Sequence, residues 1–147
     1  MLSVVIPLFN EETNVPILQR ELVEALAGLD YEIVFVDDGS RDATRERIDR
    51  SLGSDDGKSR VRVLAFTKNT GQSAAMYAGL QAARGSVVAL LDGDLQNDPA
   101  DIPKLLDTLE KSGADLVCGY RARRKDTLVK RLTSRIANST TSACRGK

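Results

Sequence analysis

Short, largely apolar runs at residues 2–7, 31–36, 61–66, 87–91 and 115–120 alternate with segments whose apolar side chains recur at helical spacing. Val15, Leu18, Leu22, Ala25, Leu26 and Leu29 mark the first such segment, which ends near Gly28. Further helices are expected over about 43–52, over 72–84 up to Gly85, and from Pro99 to near Gly113. Runs that are apolar throughout, rather than at every second residue, belong to strands buried on both faces. Strands joined through helices pair in parallel, and right-handed crossovers leave few topologies open. The expectation is an α/β, Rossmann-like domain with helices on both faces of a mostly parallel sheet, in the order 3-2-1-4 plus a further strand. Pro7 is expected to end strand one, because it has no N–H for a ladder.

In such a sheet ligands bind beyond the carboxyl ends of the strands, near the point where strand order reverses. Three of those ends are polar here: Pro7, Phe9 and Glu11 after strand one, Asp37 and Asp38 after strand two, and Asp92 and Asp94 after strand four. In extended geometry Asp92 and Asp94 point the same way. Two carboxylates aimed at one point suit a hard divalent cation carrying phosphate oxygens. Gly93 between them leaves room for a ligand to approach the backbone. Asp98, directly before Pro99, reads as a helix N-cap. Gln72 and Ser73 read as the start of helix three.

Composition removes several alternatives. The 147-residue chain has no histidine, which excludes His-based triads, His metal sites and His general bases. Cys118 and Cys144 have no metal or redox spacing, so a reducing compartment is expected. No apolar run reaches the roughly 20 residues of a membrane span, and no secretory signal is present. Neither G-x-G-x-x-G nor G-x-x-x-x-G-K-[ST] occurs, so a bound diphosphate needs another counter-charge, and a cation at Asp92 or Asp94 supplies one. The net charge of zero is uneven. Residues 1–120 hold 12 Lys/Arg against 20 Asp/Glu, and residues 121–147 hold 9 against Asp126 alone. A basic end on an acidic domain points to an anionic partner, with a solvated helix face as the plain alternative.

Four stretches in order, LSVVIPLFNEE (2–12), VDDGSRDAT (36–44), NTGQSAAMYAG (69–79) and LDGDLQNDP (91–99), resemble the successive motifs of inverting family-two glycosyltransferases of the GT-A fold. Gly119-Tyr120-Arg121 and residues 130–138 are most similar to the polyprenyl-phosphate branch, which includes dolichyl-phosphate and, closer still, undecaprenyl-phosphate sugar transferases. The resemblance implies a nucleotide-sugar- and metal-binding core over residues 1–120 and the start of an acceptor-side region over 121–147. It implies that Pro7, Phe9 and Glu11 line a nucleoside pocket (Glu11 has a capping role as the alternative), that Val36 and Asp38 bind base and ribose, and that Asp37 supports that loop. Asp92 and Asp94 become a metal-binding DxD motif for Mg²⁺ or Mn²⁺, with Gly93 beside the ribose or phosphate and Gln96 near the metal and phosphates. Asp94 and Arg121 are the catalytic assignments, Arg121 reaching the diphosphate or the acceptor phosphate. Arg131 and Ser134 are assigned to the lipid phosphate.

The implied activity is metal-dependent transfer of a sugar from a UDP- or GDP-sugar to a polyprenyl phosphate at the cytoplasmic face of a membrane, without nucleic acid. Chains of this family normally continue past the position of Lys147, so a C-terminally truncated, weakly active chain is expected. Two other readings stand beside this one. A haloacid-dehalogenase-like phosphohydrolase also carries D-x-D after a strand, but after an early strand and with a Thr or Ser motif and a catalytic Lys. A non-catalytic nucleotide-binding module is the third.

Overall fold

The computed structural model describes residues 1–52 and 60–119, with side chains up to 49 in the first stretch. The chain divides into two compact units, Met1–Val117 and Cys118–Lys147. Of the second unit only Cys118 and Gly119 are among the described residues.

The first unit alternates strand and helix: β1 (Leu2–Leu8), α1 (Val15–Ala25), β2 (Tyr31–Asp37), α2 (Thr44–Leu52), β3 (Val61–Ala65), α3 (Gln72–Ala82), β4 (Val87–Leu90), a 3₁₀ turn (Pro99–Asp101) and α4 (Ile102–Ser112). The four strands form one parallel sheet in the order β3-β2-β1-β4, as the alternation predicts. Leu2 pairs with Tyr31 on one side and Val87 on the other, and Ile33 with Val61. All the carboxyl ends therefore emerge at one edge.

The side-chain alternation of β1 and β2 divides the core. Val4, Ile6, Leu8, Ile33 and Phe35 pack with Leu18 and Leu22 of α1, Leu26 at its C-cap, Ile48 of α2 and Ile102. Val5, Val34 and Val36 face Ala75 of α3. Each such side chain, fully buried, contributes about 1.5–3 kcal/mol of transfer free energy. On the α3 side the approach is close: a Cβ at Gly79 would stand 2.3 Å from Val5 Cγ1.

Three local expectations need correction. Pro7 does not end β1; the strand runs on to Leu8, with Pro7 opposite Val36. Leu2 N–H donates to Asp30 O, and Leu8 O accepts from Asp38 N–H, so the even-numbered residues bond toward β2. Val5 O accepts from Leu91 N–H, so the odd ones bond toward β4, whose ladder is finished by Pro7. The missing N–H therefore costs no ladder bond. Helix three stops at Ala82, two residues short of the expected Arg84. The fifth run is not a strand over residues 115–119, where Leu116 is 77% exposed; Tyr120 lies outside the described residues. No helix among the described residues is long and apolar enough to cross a membrane.

Candidate nucleotide and metal site

The carboxyl edge is built from interlocked loops. Asn10 has φ +57°, donates its N–H to Ser40 Oγ at 3.0 Å and accepts from Arg41 N–H at 2.9 Å. Glu12 N–H donates to Asp42 Oδ2 at 3.2 Å, while Glu12 Oε2 accepts from Ala43 N–H at 2.8 Å. Glu11 N–H reaches the buried Thr44 hydroxyl at 2.7 Å. The loop after β1 and the loop after β2 thus cap each other, each satisfying free N–H groups of the other. Burial pushes the Asp42 carboxyl up, but hydrogen bonds from the Thr44 hydroxyl and N–H and from Glu12 N–H outweigh it and hold it below the ordinary range.

Above these loops lies a cleft of about 430 Å³. It is lined by Pro7, Leu8, Phe9 and Glu11 from the end of β1 and by Asp92, Gly93 and Asp94 from the end of the neighbouring β4. Asp38, Asn69, Gly71 and Gln72 complete the lining. Polar ends from three strands therefore converge as the topology requires. Phe9 is 40% exposed, an aromatic surface left open in a polar cleft. Glu11 lines the cleft, and its carboxylate accepts from the Asn14 side-chain Nδ2 at 2.6 Å before α1, where no side-chain cap bond forms.

Asp38 is almost fully buried, and its oxygens accept from Thr70 N–H at 2.7 Å and Gly71 N–H at 2.8 Å. It is therefore first a clamp on the loop before α3. Each oxygen retains a second lone pair. Asp37 accepts from Ser40 N–H at 3.0 Å and does not line the cleft, in keeping with its assigned supporting role. Val36 is placed differently from the nucleotide contact that the resemblance implies. Its side chain is fully buried among Val5, Val34 and Ala75, on the α3 face of the sheet.

Asp92 follows β4 by two residues. Its Oδ1 accepts from Gln72 Nε2 at 2.8 Å, and Asn97 Nδ2 stands 3.4 Å from Oδ2. Asp94 is exposed, and its Oδ1 accepts from Gln96 N–H at 3.0 Å across Leu95, which has φ +58°. An Asx-type turn with a left-handed central residue thus sets Asp94, and such strained residues gather at functional sites. Gln96 is exposed, and the cleft lining does not include it. The side chains of Gln72 and Asn97 approach Asp92, contacts that the sequence does not announce. The available signal was position: the first residue of a helix that follows a β-strand stands at the carboxyl edge. Gly93 is buried between the acids, and a Cβ there would lie 2.3 Å from Leu8 Cδ2 and 3.3 Å from Pro7 O. Any side chain at position 93 would therefore require the Leu8 side chain or the turn to shift. Asp98 is the expected cap, accepting from Ala100 N–H at 2.9 Å. Arg121, Arg131 and Ser134 lie outside the described residues.

Among the described residues no three His, Cys, Asp or Glu side chains come together as a cation cage. Asp92 and Asp94 both line the cleft, and two carboxylates suit a hard cation that completes its shell with water and phosphate oxygens, as Mg²⁺ and Mn²⁺ do.

The model of the family described as glycosyl transferase family 2 matches residues 3–144. A dodecaprenyl-phosphate galacturonate synthase of Rhizobium johnstonii is 41% identical over 140 residues, covering 93% of this chain and 41% of the relative. An undecaprenyl-phosphate 4-deoxy-4-formamido-L-arabinose transferase of Pseudomonas fluorescens is 42% identical over 138 residues, covering 92% of this chain and 40% of the relative. The chain spans about two-fifths of the length of these relatives. Among solved structures, glucosyl-3-phosphoglycerate synthase from Mycobacterium tuberculosis, in complex with Mn²⁺, UDP and glucosyl-3-phosphoglycerate, aligns with TM-score 0.60 and 26% identity. That alignment covers 74% of this chain and 39% of the other. The 3-2-1-4 parallel sheet, its helices and the acidic carboxyl edge are the GT-A arrangement, and the chain belongs to glycosyl transferase family 2.

Proposed function

We propose that this chain is the donor-binding part of a glycosyltransferase that moves a sugar from a UDP- or GDP-sugar to a polyprenyl phosphate at the cytoplasmic face of a membrane. The observation that carries this reading is that Asp92 and Asp94 line one cleft together with Pro7, Phe9, Glu11 and Asp38. The polyprenyl-phosphate relatives supply the acceptor class. A haloacid-dehalogenase reading loses its footing, since the D-x-D follows the fourth strand of a family-two chain.

Phe9 and Pro7 offer an apolar wall for a base, and the remaining Asp38 lone pairs accept from a base N–H or a ribose hydroxyl. Asp92 and Asp94 are the residues to hold Mg²⁺ or Mn²⁺, with Gln96 closing the turn behind Asp94. Bound there, the ion supplies Lewis-acid stabilisation of the charge that develops on the departing diphosphate. Arg121 is assigned to the same diphosphate, and Arg131 and Ser134 to the lipid phosphate, through charge-assisted hydrogen bonds. A phosphate monoester, with second pKa about 6, is already largely ionised at neutral pH, so its oxygen attacks the anomeric carbon without a protein base. Asp98 is then free to be a cap, as its bond to Ala100 N–H has it. Attack opposite the leaving diphosphate inverts the anomeric centre.

The test is transfer of labelled sugar from UDP- and GDP-sugars to a short-chain polyprenyl phosphate with Mn²⁺, using this chain and a C-terminally extended one. Lipid-linked product from either, lost in Asp94→Asn, supports the proposal. Metal-dependent nucleotide binding with no lipid-linked product from both chains supports the non-catalytic module instead.

A further inference from the structure

Asp38 and Asp92 both line the cleft, and a short stretch of chain, residues 70–72, links them. The Asp38 carboxylate holds the N–H groups of Thr70 and Gly71. Gly71 has φ +103° and ψ +148°, a region essentially confined to glycine, and its carbonyl accepts from Ala74 and Ala75 N–H in the first turn of α3. The clamp therefore fixes both the position and the direction of that turn. Gln72, the next residue, reaches across to Asp92 Oδ1 at 2.8 Å. α3 itself cannot shift toward or away from the sheet without cost, because Gly79 already sits against Val5 and Val36.

We infer that Gln72 is a positioning residue: its side-chain amide orients the Asp92 carboxylate for a divalent cation, and Asp38 holds Gln72 in place for that task. This rests on the proposed reading of Asp92 as a cation ligand. The chemistry is that of an outer-shell donor. An amide N–H donated to Oδ1 helps to fix the plane of the carboxylate, beside the Asn97 amide at Oδ2. Without that donor the Asp92 carboxylate loses its shortest side-chain restraint, and the entropy of orienting it falls on cation affinity. Gln72 is exposed and its amide engages one carboxylate, so replacing it leaves the core packing untouched.

The test is UDP and GDP titration of the full 147-residue chain over a range of Mn²⁺ concentrations, for the wild type, Gln72→Met, Gln72→Ala and Asp92→Asn, with thermal unfolding as the folding control. Gln72→Met keeps length and removes the donor. The expected result is a Mn²⁺ half-saturation raised about 10–100-fold in both Gln72 variants, the range for lost outer-shell partners, with metal-free nucleotide affinity and Tm unchanged. If Gln72→Met behaves as wild type while Asp92→Asn loses its Mn²⁺ dependence, the inference falls and the reading of Asp92 stands. If metal-free nucleotide affinity drops by as much as the metal-dependent affinity, Gln72 is a nucleotide contact and the inference also falls. If Asp92→Asn retains wild-type Mn²⁺ dependence, the reading of Asp92 falls and takes the inference with it.

Discussion

Gly93 meets Leu8 so closely that a single added carbon would stand 2.3 Å from Leu8 Cδ2. The residue between the two acids thus packs closely against β1. Gly93→Ala is expected to lower stability by about 1–3 kcal/mol, the usual range for overpacking. Relief that moves the turn should also weaken any Mn²⁺-dependent nucleotide binding beyond the effect on folding. Urea unfolding and calorimetry on the same sample measure the two.

The clamp on the 69–71 loop makes Asp38 a residue with two duties. Asp38→Ala leaves the N–H groups of Thr70 and Gly71 without their acceptor. Each of these part-buried hydrogen bonds contributes about 0.5–1.5 kcal/mol, so a fall in Tm is expected. Nucleotide affinity should fall as well, even without metal. Asp38→Asn keeps one acceptor and should lie between the wild type and Asp38→Ala on both measures.

Glu12 ties the loop after β1 to the start of α2 through Ala43 N–H and Asp42. Glu12→Ala is expected to cost about 0.5–2 kcal/mol, as for loss of a helix cap. Asp42→Ala removes partners from both loops and should cost more than Glu12→Ala. The double variant should cost less than the sum, since both residues belong to one network. Denaturant midpoints for the three variants report this.

At the opposite edge of the sheet, Glu32 is buried and ties four segments together. Ser3 Oγ donates to Oε1 at 2.7 Å and Arg84 N–H at 2.7 Å, while Arg62 Nη1 donates to Oε2 at 3.2 Å. Burial pushes this carboxyl up, but those hydrogen bonds and the Arg62 charge outweigh it, so the folded pKa lies below the ordinary 4.5. A folded pKa below the unfolded one gives stability that is complete above the unfolded value and is lost as pH falls through the folded value. The wild type should therefore lose stability as pH drops below 4.5. Glu32→Gln should be less stable at pH 7 and show a shallower acid decline. Unfolding curves at closely spaced pH values test the sign.

Sheet order and the convergence of strand ends were legible in the sequence because both follow from apolar runs, connection lengths and handedness. Three things were not. Pro7 sits inside β1 because its missing N–H faces the side where β4 has already ended, a property of register between distant strands. Val36 turns to α3, since only the parity of β2 against β1 decides which face it takes. Gln72 looked like a helix starter, because its partner Asp92 lies 20 residues away and meets it only once α3 crosses the sheet. In each case the deciding contact is made by an element remote in sequence. The DxD pair was visible early because its cause is local: a strand end followed by alternating carboxylates.

The most direct measurement is a crystal of this chain soaked with Mn²⁺ and either UDP or GDP, with data collected for the anomalous signal of manganese. The account predicts one Mn²⁺ peak within bonding distance of Asp92 and Asp94, bridged to the nucleotide phosphates, with the base against Phe9 and Asp38. Nucleotide density in the cleft with manganese elsewhere, or manganese at the two acids with the nucleotide outside the cleft, would contradict it.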